Sequence, residues 1–364
     1  MKKISILFLL LTISFSSSDL IVRGSTSEDK IDAGFYYSIV LKPDGTLLGW
    51  GDDDYAQILN IPTDNNFSKI SAGYYFAVGI RDDGSLLAWG HDNYGQVSMT
   101  PADNDFIDID SGYRHSVALK SDGTLESWGW DTSGQVVDTP VGNGFIDVSA
   151  AANYSIAMNS DRSITAWGYD GNGEVSDAPT GIGYLDVSAG ATHGVAIKSD
   201  GSLVSWGDDT YNQITDTPAG NDYIKVSAGG YHSIALKSDG TLVSWGWDNY
   251  GQVANTPTGN DFVSIASGGY HSFALRDDGT LVSWGANNDN QVTNTPVEPI
   301  FTGTSNQTSE TESLVYVQAG GLGIVVDSIS VDFGSVPING EILMVNSNLS
   351  KINVFDFTGT KSGW

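Results

Sequence analysis

The sequence predicts an all-β protein, a seven-bladed β-propeller of 39-residue repeats, and three observations carry that prediction. Trp50, Trp89, Trp128, Trp167, Trp206, Trp245 and Trp284 stand at a constant interval of 39 residues, each followed by Gly. An Asp-Gly or related turn pair precedes most of them between alternating apolar runs, the usual hairpin signal. No run has helical length or a 3.6-residue period. Seven in-phase units of about 40 residues, each of short strands, indicate radial repetition rather than a packed sandwich.

The sixth unit, YIKVSAGGYHSIALKSDGTLVSWGWDNYGQVANTPTGND, shows the expected blade. Four strand-like stretches are read, at 223–227, 232–237, 242–245 and 252–254. A two-residue Asp239-Gly240 turn would place Leu236 opposite Val243, Ile234 opposite Trp245 and Ala235 opposite Ser244. Small residues on one face and Trp on the other would let each Trp enter the hollow of the next blade. Closure is expected from the ends. An aromatic recurs at Phe67, Phe106, Phe145, Tyr184, Tyr223 and Phe262, but the place before them is Glu28 and the place after is Phe301. Phe301 is therefore expected to close the ring near Glu28.

The unit pattern A-G-x-x-H-S-x-A-L-K-x-D-G-x-L-x-x-W-G-x-D-x-x-G-Q-V resembles the repeats of the regulator of chromosome condensation family. It is similar to the compact type of prokaryotic exported proteins and of the secreted β-lactamase-inhibitor propeller. The resemblance covers about residues 31–299 and implies a seven-bladed propeller. It implies little about function, because one scaffold serves different partners.

The expected organisation is a signal peptide at 1–18, an N-terminal extension at 19–27, the propeller at 28–301, a flexible linker at 302–313 and a β-rich segment at 314–364. Lys2 and Lys3, the apolar run Ile4–Phe15 and then Ser16–Ser18 have the order of an export signal. The chain is thus expected to be secreted or held at the cell surface. The pieces VDFGSVPING and VFDFTGTKSGW resemble parts of the WxL cell-wall-binding domain, whose ending motif would begin at Trp364; the segment is read either as truncated there or as alike by accident. That likeness suggests a cell-wall or polysaccharide contact.

Charge narrows the partners. With 16 Lys and Arg against 44 Asp and Glu, the net charge is −28. A duplex binder needs cations to replace phosphate counterions, so nucleic acid is disfavoured. Cysteine is absent, which removes disulfides and thiolate metal sites.

The variable positions mark the expected site. The loops after each Trp-Gly and the short A-G-x-x-H turns gather on one rim, the S-D-G-T turns and T-P-x-G-N-D links on the other. Two places after each repeat Trp come Asp52, His91, Trp130, Tyr169, Asp208, Trp247 and Ala286. Five places after come Tyr55, Tyr94, Ser133, Asn172, Tyr211, Tyr250 and Asp289, and the turns add Phe35, Tyr36, Tyr74, Tyr75, Tyr113, Tyr231 and Tyr270 with Arg114. Loops rich in Trp, Tyr and Arg resemble interface hot spots. The protein-binding residues are expected to be Trp130, Trp247, Tyr94, Tyr250, Tyr75 and Arg114, on a monomer that uses no cofactor. Carbohydrate binding and inhibition of a hydrolase are the alternatives.

Three other patterns read as structure. The Asp three places after each Trp (Asn287 in the last unit) fixes its own loop and offers too few oxygens for calcium; the Asp170–Glu174 loop, DGNGE, is the richest in oxygen. His115, His193, His232 and His271 share one position with Tyr37, Phe76 and Tyr154, so packing is expected there rather than a metal. The fourth unit departs most, with Ala151, Arg162 and Glu174 in place of Gly, Gly and Gln; drift is expected. No nucleophile motif appears, and no catalysis is expected.

Overall fold

A computed structural model describes residues 30–300 in full and, beyond them, the backbone of five short strands. The chain divides into two units, one spanning Ser25–Ser305 and the other Met1–Gly24 with Asn306–Trp364. In the second unit, Leu314–Val315, Ile342–Val345 and Ile352–Phe355 form one antiparallel sheet, and Ile324–Val326 pairs with Ile329–Val331.

The first unit is a ring of seven antiparallel sheets. Each blade has three strands rather than the four expected. In blade 6 they are Tyr223–Ala228 (inner), His232–Lys237 (middle) and Leu242–Gly246 (outer). The stretch 252–254 forms a turn instead, because Asp248 captures it: the Asp248 carboxylate accepts the Val253 and Ala254 amides at 2.8 and 2.9 Å. Those amides are thereby unavailable for a sheet ladder.

The hairpin register also differs by one residue. Lys237 N donates to Thr241 O, and Gly240 N donates to Lys237 O, both at 2.9 Å. The loop is therefore three residues, Ser238–Gly240, with Gly240 at φ 81°, a type I turn closed by a left-handed Gly. Asp239 locks it by accepting from Thr241 N and Oγ1 at 3.0 and 2.7 Å. The added residue pairs Leu236 with Leu242, Ala235 with Val243, Ile234 with Ser244 and Ser233 with Trp245. A one-residue slip exchanges faces. Trp245 now shares its face with Ser233 and Ala235 and packs against Val195 and Ile197 of the preceding blade, not the next one. The other face, Ile234, Leu236 and Leu242, meets Phe262 and Ile265 of blade 7. Only small residues stand opposite the Trp: at Gly194, a Cβ would lie 2.3 Å from the Trp206 ring.

Every repeat Trp repeats this insertion and ends it with a hydrogen bond from Nε1 to the carbonyl of the preceding blade's loop, Gln213 for Trp245 at 2.9 Å. The ring closes by the same device, since Trp50 Nε1 donates to Gln291 O at 2.8 Å. Ile31, Ala33, Val40 and Trp50 of blade 1 form one buried cluster with Ala266, Phe273, Leu275 and Leu281 of blade 7, and Ile300 packs on it. Ile300 N bonds Gly279 O, so the terminal strap reaches the first–last junction one residue before the position expected. Phe301 and Glu28 lie outside the described residues.

Candidate functional site

The rim loops are built by residues the repeat keeps. The Asp after each Trp-Gly accepts two amides five and six residues on, as Asp53 does from Ile58 and Leu59 and Asp170 from Val175 and Ser176. Asn287 does the same with Val292 and Thr293, which explains why an amide suffices there. These oxygens are occupied by backbone, so the recurring acids hold the loops. Glu174 likewise spends both oxygens on Asn172. Among the described residues no cluster of His, Asp and Glu could hold a metal ion.

In the other six loops a buried Gln does a second task. Its Oε1 accepts an amide two residues back, at 3.0 Å from Tyr55 to Gln57 and 2.9 Å from Tyr250 to Gln252. That fixes Nε2 to point toward the residue two places after the Trp. Gln57 donates to Asp52, Gln96 to His91 Nδ1 and Gln213 to Asp208. Where that residue is Trp130, Trp247 or Ala286, the Nε2 of Gln135, Gln252 or Gln291 is buried without a protein partner. An unmet buried donor costs about 1–3 kcal/mol. The two rim tryptophans therefore sit where the loop would be better satisfied by an acceptor.

The histidines join blades. His115, His193 and His232 each hold a Ser hydroxyl of the following blade at 2.7–2.8 Å through Nε2, and His271 holds Ser38 across the closure at 2.8 Å. Burial depresses all four, to about 4 for His115 and His193 and about 3 for His232 and His271, so they are neutral. Tyr154 occupies the same position and donates instead to the carbonyl of His193 at 2.7 Å.

The aromatic side chains form a connected band on this rim. Phe35, Tyr74 and Tyr113, from the turns of blades 1–3, meet at the axis with ring centroids 4.4–5.0 Å apart. Ala152, Ala191, Gly230 and Gly269 fill that position in the other four blades and leave room for them; a Cβ on Gly269 would lie 2.4 Å from the Phe35 ring. The three rings lie over an axial cavity of about 70 Å³ lined by all seven blades. From this hub the band runs one way through Tyr75, Tyr55 and His91 to Tyr94 and Trp130. It runs the other way through Tyr270 to Trp247, Tyr250, Tyr231 and Tyr211. The turns of blades 4 and 5, Ala152-Asn153 and Ala191-Thr192, carry no ring, so the band is a crescent.

All six residues expected from sequence lie in this crescent, in two patches joined through Tyr75. Arg114 lies over Trp130 and Tyr94, with its guanidinium carbon 4.6 and 5.0 Å from the ring centroids. Trp247 and Tyr250 are 5.4 Å apart. Tyr211, Tyr231 and Tyr270 complete the second patch. Their repeat positions were visible in sequence, but their convergence depends on neighbouring blades. Burial raises the phenols of Tyr36, Tyr75, Tyr231 and Tyr270, with neighbouring hydroxyls adding to it, so they remain neutral.

Comparison with known proteins agrees with this architecture. A family model described as Regulator of chromosome condensation (RCC1) repeat matches residues 29–57, 67–96, 106–135, 185–213, 223–252 and 262–291. Six of the seven copies are regulator of chromosome condensation repeats. The fourth copy, which carries Arg162 and Glu174, falls outside the matches. No curated protein matches the chain in sequence. Solved structures share the fold. The CRINKLY WD40 ectodomain of the Arabidopsis thaliana receptor kinase ACR4 is 19% identical, with a TM-score of 0.62 over 74% of this chain and 98% of its own. The ectodomain of the Physcomitrella patens receptor kinase CR4 is 20% identical, at 0.60 over 71% and 72%. Yeast RCC1 (Prp20), solved bound to Kap60, is 15% identical, at 0.59 over 79% and 87%.

Proposed function

We propose that this repeat propeller is an exported, non-catalytic module that holds another protein against its aromatic crescent. One observation carries the reading. The loops are held by Asp, Gln and Gly, yet rings crowd the positions that this framework leaves free, with Tyr94 and Tyr250 39% and 45% exposed. Two of the rings, Trp130 and Trp247, stand above buried amides without partners. Side chains that the fold does not require, kept in connected and half-exposed array, have the composition of a binding hot spot. The yeast relative's solution with Kap60 is consistent with a propeller serving as a protein platform. Export is supported by the basic and apolar order of residues 1–18, and surface display by the likeness of 314–364 to cell-wall-binding sequence.

The test is capture of envelope proteins and polysaccharides by the full chain, beside a bait carrying Trp130→Ala, Trp247→Ala and Tyr250→Ala. A protein held by the first bait and lost by the second supports the reading. Equal retention by both moves the site off this rim, and retention of polysaccharide alone makes the crescent a sugar platform.

A further inference from the structure

The rim is segregated in charge. In the seven post-tryptophan loops and seven short turns, Arg114 is the sole Lys or Arg, while Asp52, Asp54, Asp131, Asp208, Asp209 and Asp248 are among the acids there. Other cations are engaged elsewhere: Arg81, Lys120, Lys237 and Arg276 pair with acids at the opposite end, and Lys69 pairs with Asp108 on the inner strands.

Arg114 shows what this rim does with a cation. Its guanidinium lies over the Tyr94–Trp130 pair, whose centroids are 5.4 Å apart at 32°. Three units later the same two repeat positions are Tyr211 and Trp247, 5.8 Å apart at 44°. The position of Arg114 is here Tyr231, a third ring 5.6 Å from Tyr211. Tyr250 and Tyr270 add two more, 5.4 and 5.1 Å from Trp247. Five electron-rich rings thus converge in a rim of carboxylates, with Asp208 close enough to raise the Tyr231 phenol and, among the described residues, no cation stacked over them.

We infer that the Tyr211, Tyr231, Trp247, Tyr250 and Tyr270 cluster receives an arginine side chain from a basic segment of the partner protein. The inference rests on the protein-binding reading above and gives that partner its chemistry. A cation is drawn to aromatic faces by their quadrupole, most strongly to Trp. Guanidinium is favoured over ammonium because its plane stacks and it is more weakly hydrated. A net charge of −28 steers basic segments toward the molecule, and the rings then select among them.

Calorimetry of the full chain with hexa-arginine amide and with its uncharged hexa-citrulline counterpart tests this. Hexa-arginine is expected to bind, and hexa-citrulline to bind about tenfold more weakly or less. Trp247→Ala should weaken the arginine peptide about tenfold, and so should Tyr231→Arg, which copies the blade 3 arrangement and supplies the guanidinium internally. Asn153→Arg adds the same charge at the same repeat position of blade 4 and should leave binding within about twofold. Thermal melts confirm that each variant is folded. Parent-like affinity for hexa-arginine in either Trp247→Ala or Tyr231→Arg, equal affinity of the parent for both peptides, or no binding of hexa-arginine each overturns the inference. A protein captured by the parent, lost by the triple-alanine bait and held undiminished by Tyr231→Arg overturns it while leaving the protein-binding reading intact.

Discussion

Trp50 Nε1 donates to the carbonyl of Gln291, 241 residues away in sequence, at 2.8 Å. Each of the other six repeat tryptophans makes the same bond to a carbonyl only 32 residues away, as Trp89 does to Gln57. A contact that is local everywhere else becomes the longest link in the ring at the first–last junction.

Trp50→Ala is therefore expected to cost about 3–5 kcal/mol, as removal of a buried large aromatic does. Its effect should also be located. Hydrogen exchange should accelerate first in Ile31–Ala33 and Leu281–Gly285, whereas Trp167→Ala, in mid-array, should leave those strands protected.

Arg162 and Ala56 hold left-handed backbone, at φ 63° and 59°, where most other units place Gly. An L side chain pays about 1–2 kcal/mol for that conformation. Arg162→Gly and Ala56→Gly should each raise stability by about 1 kcal/mol in denaturant melts, less for Arg162 because its guanidinium also reaches the Tyr184 carbonyl at 3.4 Å.

The unpartnered Gln252 Nε2 separates stability from binding. Trp247→Asp supplies the acceptor that Asp52 and Asp208 give their own Gln. It should be more stable than Trp247→Ala by about 1–3 kcal/mol, yet lose partner capture as completely. If the two variants melt together, the amide has no need of that acceptor.

The inter-blade histidines make the ring sensitive to acid. Burial holds their folded values at about 3–4, below the unfolded value of 6.5. In this window the unfolded chain binds the proton and the folded chain does not. Stability is fully present above about pH 6.5 and is lost as pH falls toward 4. His271→Tyr, which copies Tyr37 and Tyr154, should flatten this part of the profile.

Asp110 acts in the opposite sense. Burial first, then the charge of Asp32, pushes it up to about 7. Between about pH 4 and 7 the folded carboxyl keeps a proton that the unfolded chain releases, so its contribution falls as pH rises. Asp110→Ser installs the side chain of Ser71, Ser149 and Ser188 at the same inner-strand position. Relative to the parent, it should gain stability at pH 8 compared with pH 4.

Much of this was legible from spacing. The tryptophan interval located every blade, the alternation of turns assigned the rims, and the recurring Asp was read as a loop-holder, as its paired amide bonds demonstrate. The register was not legible, because Asp-Gly fits both two- and three-residue loops and one added residue exchanges the faces. The fourth strand failed for a related reason. An apolar run beside Gln reads as a strand, but the carboxylate five residues earlier captures its amides. The crescent was seen as positions and not as contacts. Phe35 meets Tyr270, 4.8 Å away between centroids, only because the ring is closed.

The axial hub gives the array an origin. Phe35, Tyr74 and Tyr113 come from three consecutive blades, and the small residues that accommodate them come from the four that follow. Units that are interchangeable at the perimeter are thus not interchangeable at the centre. Duplicating or deleting any 39-residue copy would bring the wrong number of rings, or of gaps, to a space already filled. The repeat number of this chain is written at its axis, where each copy has an assigned place.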